Sequence, residues 1–170
     1  MQDYKHMILG KTDSNLRFDY PDENRALANS LVAQAHNTID IFTRDLEPVI
    51  YDSLEFVAYL KELALRSKYS KIRILIQDPS RCIKEGHQVL ELAQKLTSYI
   101  ELRKPGYDFR DFNEALLIAD NTGFLHKQLA DRYEGIVNFN NPMEANEKNR
   151  FFTRVWETAE IDPNLRRLYL

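Results

Sequence analysis

The stretch Asn113-Glu-Ala-Leu-Leu-Ile-Ala-Asp120 decides how the rest of this chain is interpreted. Its middle, Leu116-Leu-Ile118, is apolar without interruption, which is typical of a strand covered on both faces. Asp120 ends the stretch, and Asn121-Thr-Gly123 predicts a turn into a second strand over 124–128. The stretch therefore predicts a central strand with polar groups at its ends.

Helical and strand patterns alternate before this stretch. The predicted helices cover 22–36, 52–66 and 83–97, and the predicted strands cover 38–43, 72–77 and 98–103. Alternation of this kind predicts an α/β fold with three layers, α/β/α, around a mixed, mostly parallel central sheet. A last strand over 133–140 and a helix that begins at Asn141-Pro142 complete one domain over residues 22–170. Residues 1–21 are predicted to be an N-terminal arm or edge strands, with short strands at 7–9 and 16–20.

Composition limits the function classes. Of 170 residues, 44% are hydrophobic, so the chain can bury a substantial core. The net charge of -3 makes nucleic acid an unlikely partner and gives no electrostatic case for an anionic membrane. No apolar run approaches the ~20 residues of a membrane span. A single cysteine, Cys82, favours a cytoplasmic location.

No cofactor or metal is predicted. The four histidines, His6, His36, His87 and His126, are scattered rather than spaced as ligands. With five glycines in the chain, no glycine-rich phosphate loop is present in the sequence.

Candidate ligand-binding residues follow two of the predicted parallel strands. Arg44 and Asp45 follow the strand over 38–43, and Asp78 follows the strand over 72–77. Because the carboxyl ends of such strands form the ligand-binding edge of open α/β sheets, we expect these side chains at one site. Arg44 and Asp45 are alternatively a self-contained ion pair.

Five further candidates have two interpretations each. His87 either faces an anion held by Arg81 and Lys84 or packs internally as a cap to a carbonyl. Glu114 either pairs with an arginine such as Arg44, Arg103 or Arg132, or lies at the exposed start of its strand. Asp120 either faces a ligand or forms a turn with its own backbone. His126 and Arg132 are either rim residues or members of a site.

The layout of residues 22–159 resembles one half of the phospholipase D-like superfamily. The signature of that superfamily is His-x-Lys-x-x-x-x-Asp on a central strand, and the matching window here is 113–120, in which Asp120 alone is retained. The resemblance implies that Asn113 occupies the place of the histidine nucleophile and Ala115 the place of the phosphate-binding lysine. It therefore implies a degenerate, single-copy bacterial domain. Since two copies form one site in that superfamily, it also implies a possible homodimer.

Three functions are consistent with these residues. The first is a non-catalytic domain that binds a small anionic ligand or a protein partner at the C-terminal edge of the sheet, using Asn113 among its residues. The second is a phosphodiesterase or phosphotransferase that uses His87 or His126 instead. The third is a structural homodimer in which the site has become an interface.

Overall fold

A computed structural model describes residues 4–166, with side chains through Leu165. The first three and last four residues, which belong to the predicted arm and domain end, lie outside the described range. The strands are β1 (Leu16–Phe18), β2 (Thr38–Thr43), β3 (Lys71–Ile76), β4 (Ile100–Arg103), β5 (Ala115–Ala119), β6 (Gly123–Lys127) and β7 (Gly135–Asn138). The helices are α1 (Pro21–Gln34), α2 (Pro48–Tyr51), α3 (Leu54–Arg66), α4 (Ser80–Glu85), α5 (Gln88–Lys95), α6 (Pro142–Thr158) and α7 (Pro163–Arg166), with a 3₁₀ turn at Tyr107–Phe109.

The seven strands form one mixed sheet in the order β1-β7-β6-β5-β2-β3-β4. The predicted α/β class with a mixed sheet is confirmed, but the proportion of parallel pairings is corrected. Only β2–β3 and β3–β4 are parallel, whereas β5 pairs antiparallel with β2 and the remaining pairings are also antiparallel. The hairpin of β5 and β6 is inserted beside β2 at the centre of the sheet, and antiparallel pairs follow from it.

Two separate hydrophobic clusters cover the two faces of the sheet. Consecutive strand residues point to opposite faces, so Ile41 belongs to the cluster under α1, α3 and α5, while Phe42 belongs to the cluster under α6. Helix α6 contributes Phe152 and Trp156 to the second cluster. The arrangement is the predicted three-layer α/β/α architecture.

A buried polar network fixes α6 on its face of the sheet. The Asp40 carboxylate accepts hydrogen bonds from Arg73 Nε at 2.7 Å and from Asn149 Nδ2 of α6 at 2.6 Å. The Arg73 guanidinium also lies over the Phe152 ring, 5.0 Å from its centroid. Because a buried ion pair with these additional contacts requires one particular geometry, it fixes the position of α6 on the sheet.

Local chemistry explains most helix boundaries. Asn141 caps α6 by accepting from the Glu144 amide, as its sequence predicted. The cap of α3 is Ser53, not Asp52, whose carboxylate instead accepts from the Gln88 amide. The single helix predicted over 83–97 is broken in two at Gly86, which has a φ of 81°.

The N-terminal segment joins the sheet through one short strand. Leu16–Phe18 pairs antiparallel with β7 as an edge strand, within the predicted range 16–20. The predicted strand at 7–9 is not formed, and turns occupy this region.

Candidate functional site

A cavity of about 720 Å³ opens where β2, β3 and β4 end and β5 begins. We call it the edge cavity. Its charged lining residues are Arg44, Lys104, Arg110, Asp78, Asp111 and Glu160. Its volume lies in the range of small-molecule sites, and its position is the ligand-binding edge predicted for the sheet.

Parallel pairing brings Arg44 and Asp78 to this cavity. Thr43 is opposite Ile76 in the register of β2 and β3, and the ladder continues because the Asp78 amide donates to the Arg44 carbonyl at 2.6 Å. The two loops after these strands therefore run side by side. Of the three side chains expected at one site, Arg44 and Asp78 line the same cavity.

Arg44 is held in place by Asn113. Its Nη1 donates to Asn113 Oδ1 at 3.0 Å, so the first residue of the central stretch is linked to the end of β2. The rest of the guanidinium is exposed at the edge cavity. An arginine oriented in this way is suited to binding an anion.

The Asp78 carboxylate makes hydrogen bonds within its own turn. Its Oδ1 accepts from both the amide and the hydroxyl of Ser80, at 3.1 and 2.6 Å. These hydrogen bonds hold the pKa of the Asp78 carboxyl below its usual range. It remains a carboxylate that stabilises the start of α4.

Asp45 pairs with Arg81 and not with Arg44, so the alternative of a self-contained Arg44–Asp45 ion pair is wrong. Its carboxylate pairs with Arg81 at 3.2 Å, and it is not among the lining residues of the edge cavity. The chain turns sharply here because Leu46 adopts a left-handed conformation with a φ of 57°.

The connection between β4 and β5 forms one wall of the edge cavity. Lys104, Tyr107 and Arg110 lie on it, and none of them was a candidate from the sequence. Gln77 fixes this wall, since its Nε2 donates to the carbonyls of Phe109 and Phe112 at 2.8 and 2.9 Å. The signal available in the sequence was that two cations, Lys104 and Arg110, follow the end of a predicted strand within ten residues.

Glu114 and His126 lie in a different groove of about 350 Å³ beneath α6. Asn113 and Glu114 both precede β5, and Asn113 lines the edge cavity whereas Glu114 lines this groove. His126 Nε2 lies 2.7 Å from Glu114 Oε1. The partner of Glu114 is thus a histidine rather than one of the expected arginines. Phe112 and Phe151 line this groove, which we call the dyad groove.

Arg132 is not among the lining residues of the edge cavity. It is exposed in the loop between β6 and β7, beside a smaller depression that it shares with His126 and Ile136. It pairs neither with Glu114 nor with Asp78 in the structure.

His87 is buried and structural, which corrects its candidacy as a ligand-binding residue. Its Nδ1 accepts from the Val89 amide at 3.1 Å and caps α5, and its Nε2 lies 2.9 Å from the Leu46 carbonyl. This pattern requires the neutral tautomer with hydrogen on Nε2. Burial lowers the pKa of the imidazole, against the opposing effect of Asp52. The interpretation as a cap to a carbonyl is the one that the contacts bear out.

Asp120 lies at the opposite end of β5 from the edge cavity. Its carboxylate accepts from the backbone amides of His36, Asn37 and Thr38 at 2.8 to 2.9 Å. The residue has a φ of 54° at the turn into β6. Both predicted roles are therefore corrected, because Asp120 neither faces the cavity nor bonds its own turn through its side chain, but joins β5 to the start of β2.

The neighbour of Ala115 is a lysine that the sequence did not single out. Lys127 is opposite Ala115 in the β5–β6 register and is 2% exposed. Its ammonium pairs with Glu47 at 2.7 Å and donates to the Ala130 carbonyl at 3.2 Å. Burial raises the pKa of the Glu47 carboxyl despite the opposing ammonium. The only sequence signal was the strand alternation that turned Lys127 inward.

The nine candidate residues predicted from the sequence lie at several separate places in the structure and not at one site. Arg44, Asp78 and Asn113 line the edge cavity, whereas Glu114 and His126 line the dyad groove. Within residues 4–166, no group of three or more His, Cys, Asp or Glu side chains is placed to hold a metal ion. No helix of that range is long and apolar enough to cross a membrane.

The α/β fold of this chain is structurally similar to that of phospholipase D family proteins. The structure is similar to a phospholipase D family member, Nuc from Salmonella typhimurium, with a TM-score of 0.59 and 15% identity over 86% of this chain and 96% of that one. It is also similar to NucT from Helicobacter pylori, with a TM-score of 0.63 and 14% identity over 86% and 98% of the two chains. At these identities, the likeness concerns the fold.

The chain belongs to the family described as Domain of unknown function (DUF7931), whose sequence profile matches residues 20–168. A third similar structure is TrmBL2, an archaeal chromatin protein with a novel mode of DNA binding, at a TM-score of 0.61 and 19% identity. The match covers 88% of this chain but 55% of that protein, so the chain spans about half its length. No curated protein matches the sequence.

Proposed function

We propose that this chain is a phospholipase D-like domain that binds a small anion at the edge cavity without hydrolysing phosphodiesters. The observation that carries the proposal is the Arg44 guanidinium, fixed by Asn113 at 3.0 Å and exposed to the cavity. Asn113 stands where the superfamily signature has its histidine. At this position the superfamily has a residue that attacks phosphorus, whereas this chain has a residue that orients a cation.

The contents of the strand argue against ordinary phospholipase D chemistry. An asparagine amide is not a nucleophile of the kind that forms a phosphohistidine. Ala115 supplies no cation, and Lys127 beside it is buried on Glu47 and the Ala130 carbonyl. Asp120, the retained member of the signature, binds backbone amides at the other end of β5. The three positions of the signature therefore do not form a hydrolytic site.

The edge cavity is lined by three basic side chains, Arg44, Lys104 and Arg110, and by three acidic ones, Asp78, Asp111 and Glu160, so an anion would be held by individual cations and not by a net positive charge. Of its carboxylates, Asp78 is occupied by Ser80, and Asp111 lies 3.9 Å from Arg110 in an exposed pair. Lys104 extends the cation set, and its charge, like that of Arg44, also helps to lower the pKa of the Asp78 carboxyl. Arg44 and Lys104 are therefore the groups that a phosphate or carboxylate would contact.

Calorimetric titration with inorganic phosphate at fixed ionic strength tests the proposal. Arg44→Gln should weaken binding about tenfold, because a charge-assisted contact contributes about 1.5–3 kcal/mol. Lys104→Gln should weaken it less. The matched controls Arg150→Gln and Lys61→Gln alter exposed residues elsewhere and should leave it unchanged. Equal binding by the unmodified protein and Arg44→Gln would contradict the proposal.

The second candidate is an enzyme that uses His126. The contact of 2.7 Å between His126 Nε2 and Glu114 Oε1 favours it, because a carboxylate that orients an imidazole is a general acid–base arrangement. Turnover of a generic phosphodiester without metal, lost in His126→Ala and retained in Arg44→Gln, would select this function over the first. His87 does not contribute, since both its ring nitrogens have partners.

The homodimer inferred from the superfamily resemblance is a separate proposal. Light scattering of the protein and of its Arg44→Glu and Phe109→Asp variants tests it, and a monomer at high concentration would end it. DNA binding by analogy with the archaeal chromatin protein is less favoured because the chain carries a net charge of -3. The absence of a steep salt dependence in DNA titrations would agree with this view.

A further inference from the structure

Tyr107 is a large aromatic side chain that stands exposed on the wall of the edge cavity. It is 74% exposed, and the Arg110 guanidinium carbon lies 3.6 Å from its ring centroid. The guanidinium therefore lies over the ring, and its Nε is also 3.9 Å from the exposed Asp111 carboxylate. Such stacked arginine–aromatic pairs are suited to receive another aromatic ring.

This stacked pair is held in position by contacts below it. The Tyr107 carbonyl accepts from the Arg110 amide at 3.2 Å, which closes the 3₁₀ turn, and also from Arg110 Nη1 at 2.9 Å. Gln77 fixes the Phe109 carbonyl at 2.8 Å, and Phe109 packs edge-on against Phe151 of α6 with centroids 6.1 Å apart. A ligand ring would therefore meet a pre-organised surface, which reduces the entropic cost of binding.

We propose that the ligand of the edge cavity is an anion attached to a flat aromatic ring, that is, an aryl or heteroaryl phosphate. The ring stacks on Tyr107 and Arg110, and the anionic group binds Arg44 and Lys104. This inference rests on the proposed anion-binding function and names the class of ligand. A cavity of about 720 Å³ is much larger than a lone phosphate needs and fits a ligand of this kind.

The other side chains of the cavity disfavour an aliphatic ester. Besides the stacking surface, Pro105 and Phe112 are the apolar side chains in its lining, and the remaining ones are charged or carry amides. An acyl chain would thus remain largely in contact with polar groups and water. An aromatic ring needs only the one flat surface that Tyr107 and Arg110 supply.

The test compares inorganic phosphate, phenyl phosphate and cyclohexyl phosphate by calorimetry. Phenyl phosphate should bind about tenfold more tightly than its saturated analogue, a ratio typical of one stacked ring. Tyr107→Ala should abolish this ratio while leaving the affinity for inorganic phosphate unchanged, and Tyr107→Phe should preserve it. Because Tyr107 is exposed, neither variant should disturb folding.

Tyr69 supplies a matched control. It is 76% exposed and lies near a cation, with Lys68 Nζ 5.1 Å from its ring centroid, but it is outside the edge cavity. Tyr69→Ala should keep the full preference for phenyl phosphate. Equal affinity for the phenyl and cyclohexyl esters, or a preference unaffected by Tyr107→Ala, would overturn this inference. Failure of inorganic phosphate to bind would instead overturn the proposed function itself.

Discussion

The two ends of β5 differ in what their polar side chains contact. At one end, Asp120 accepts three backbone hydrogen bonds from 36–38 and joins two strands of the sheet. At the other end, Asn113 makes one hydrogen bond to a single exposed arginine at the edge cavity. One end of the strand therefore joins parts of the fold, and the other end faces the edge cavity. Substitutions at the first should change stability, and substitutions at the second should change binding.

The largest effect is expected from restoring the lysine of the signature. Ala115→Lys would place a second buried ammonium opposite Lys127, where Glu47 already has its partner. We expect a loss of about 3–5 kcal/mol in the free energy of unfolding, measured by urea denaturation. The double variant Ala115→Lys/Lys127→Ala should recover part of the loss. Wild-type stability for the single variant would mean that the interior there accepts two cations.

The next largest effect is expected at the Asp120 end of β5. Asp120→Ala removes the acceptor of three backbone amides and should cost about 2–4 kcal/mol of unfolding free energy. Asp120→Asn should cost less, because it keeps one oxygen acceptor and tolerates the left-handed backbone. The exposed Asp131→Ala serves as the control and should change stability by under about 0.5 kcal/mol. Phosphate binding should be unchanged in any folded Asp120 variant, and this result would separate the two ends of β5 more clearly.

A moderate, pH-dependent effect is expected at His87, which should behave as a structural residue. Its pKa is lowered in the folded state, so the unfolded chain binds the proton more tightly. Stability should therefore be full above the ordinary histidine pKa of about 6.5 and decline as pH falls through the folded pKa. His87→Asn keeps a capping side chain and should have a shallower decline. Parallel melting curves for the two proteins from pH 8 to 5 would show that His87 does not titrate in this way.

The smallest effect on stability is expected at Asn113. Asn113→Ala removes one side-chain hydrogen bond at an open site and should cost under about 1 kcal/mol of unfolding free energy. Phosphate affinity should nevertheless fall by roughly two- to tenfold, because Arg44 loses its tether. A destabilisation as large as that of Asp120→Ala would remove the distinction between the ends of β5.

Local pattern was sufficient to predict most of the elements but not their pairing. The alternation in Thr38–Thr43 and the cap at Asn141 depend on neighbouring residues, and both are found in the structure. The insertion of β5 beside β2 depends on contacts between residues far apart in sequence, so the antiparallel majority was not predicted. The break at Gly86 was missed because apolar residues continue at helical spacing on both sides of it.

The candidate site was predictable only where strand order placed it. Arg44 and Asp78 meet because their strands are parallel neighbours, which the sequence pattern indicated. The pairing of Ala115 with Lys127 depends on hairpin register, and the partners of Asp120 lie more than 80 residues away. Tyr107 and Arg110 lie in a connection without a recognisable motif, and only the fold places them beside Arg44.

The most direct test of the central claim follows one sample by ³¹P NMR. Bis(4-nitrophenyl) phosphate is added to the protein without metal, and binding and hydrolysis are observed together. We expect broadening or a shift of the diester signal that Arg44→Gln greatly weakens, and no product signal. A product signal that grows with the unmodified protein and disappears in Asn113→Ala would contradict this expectation, as would a diester signal that the protein leaves unchanged.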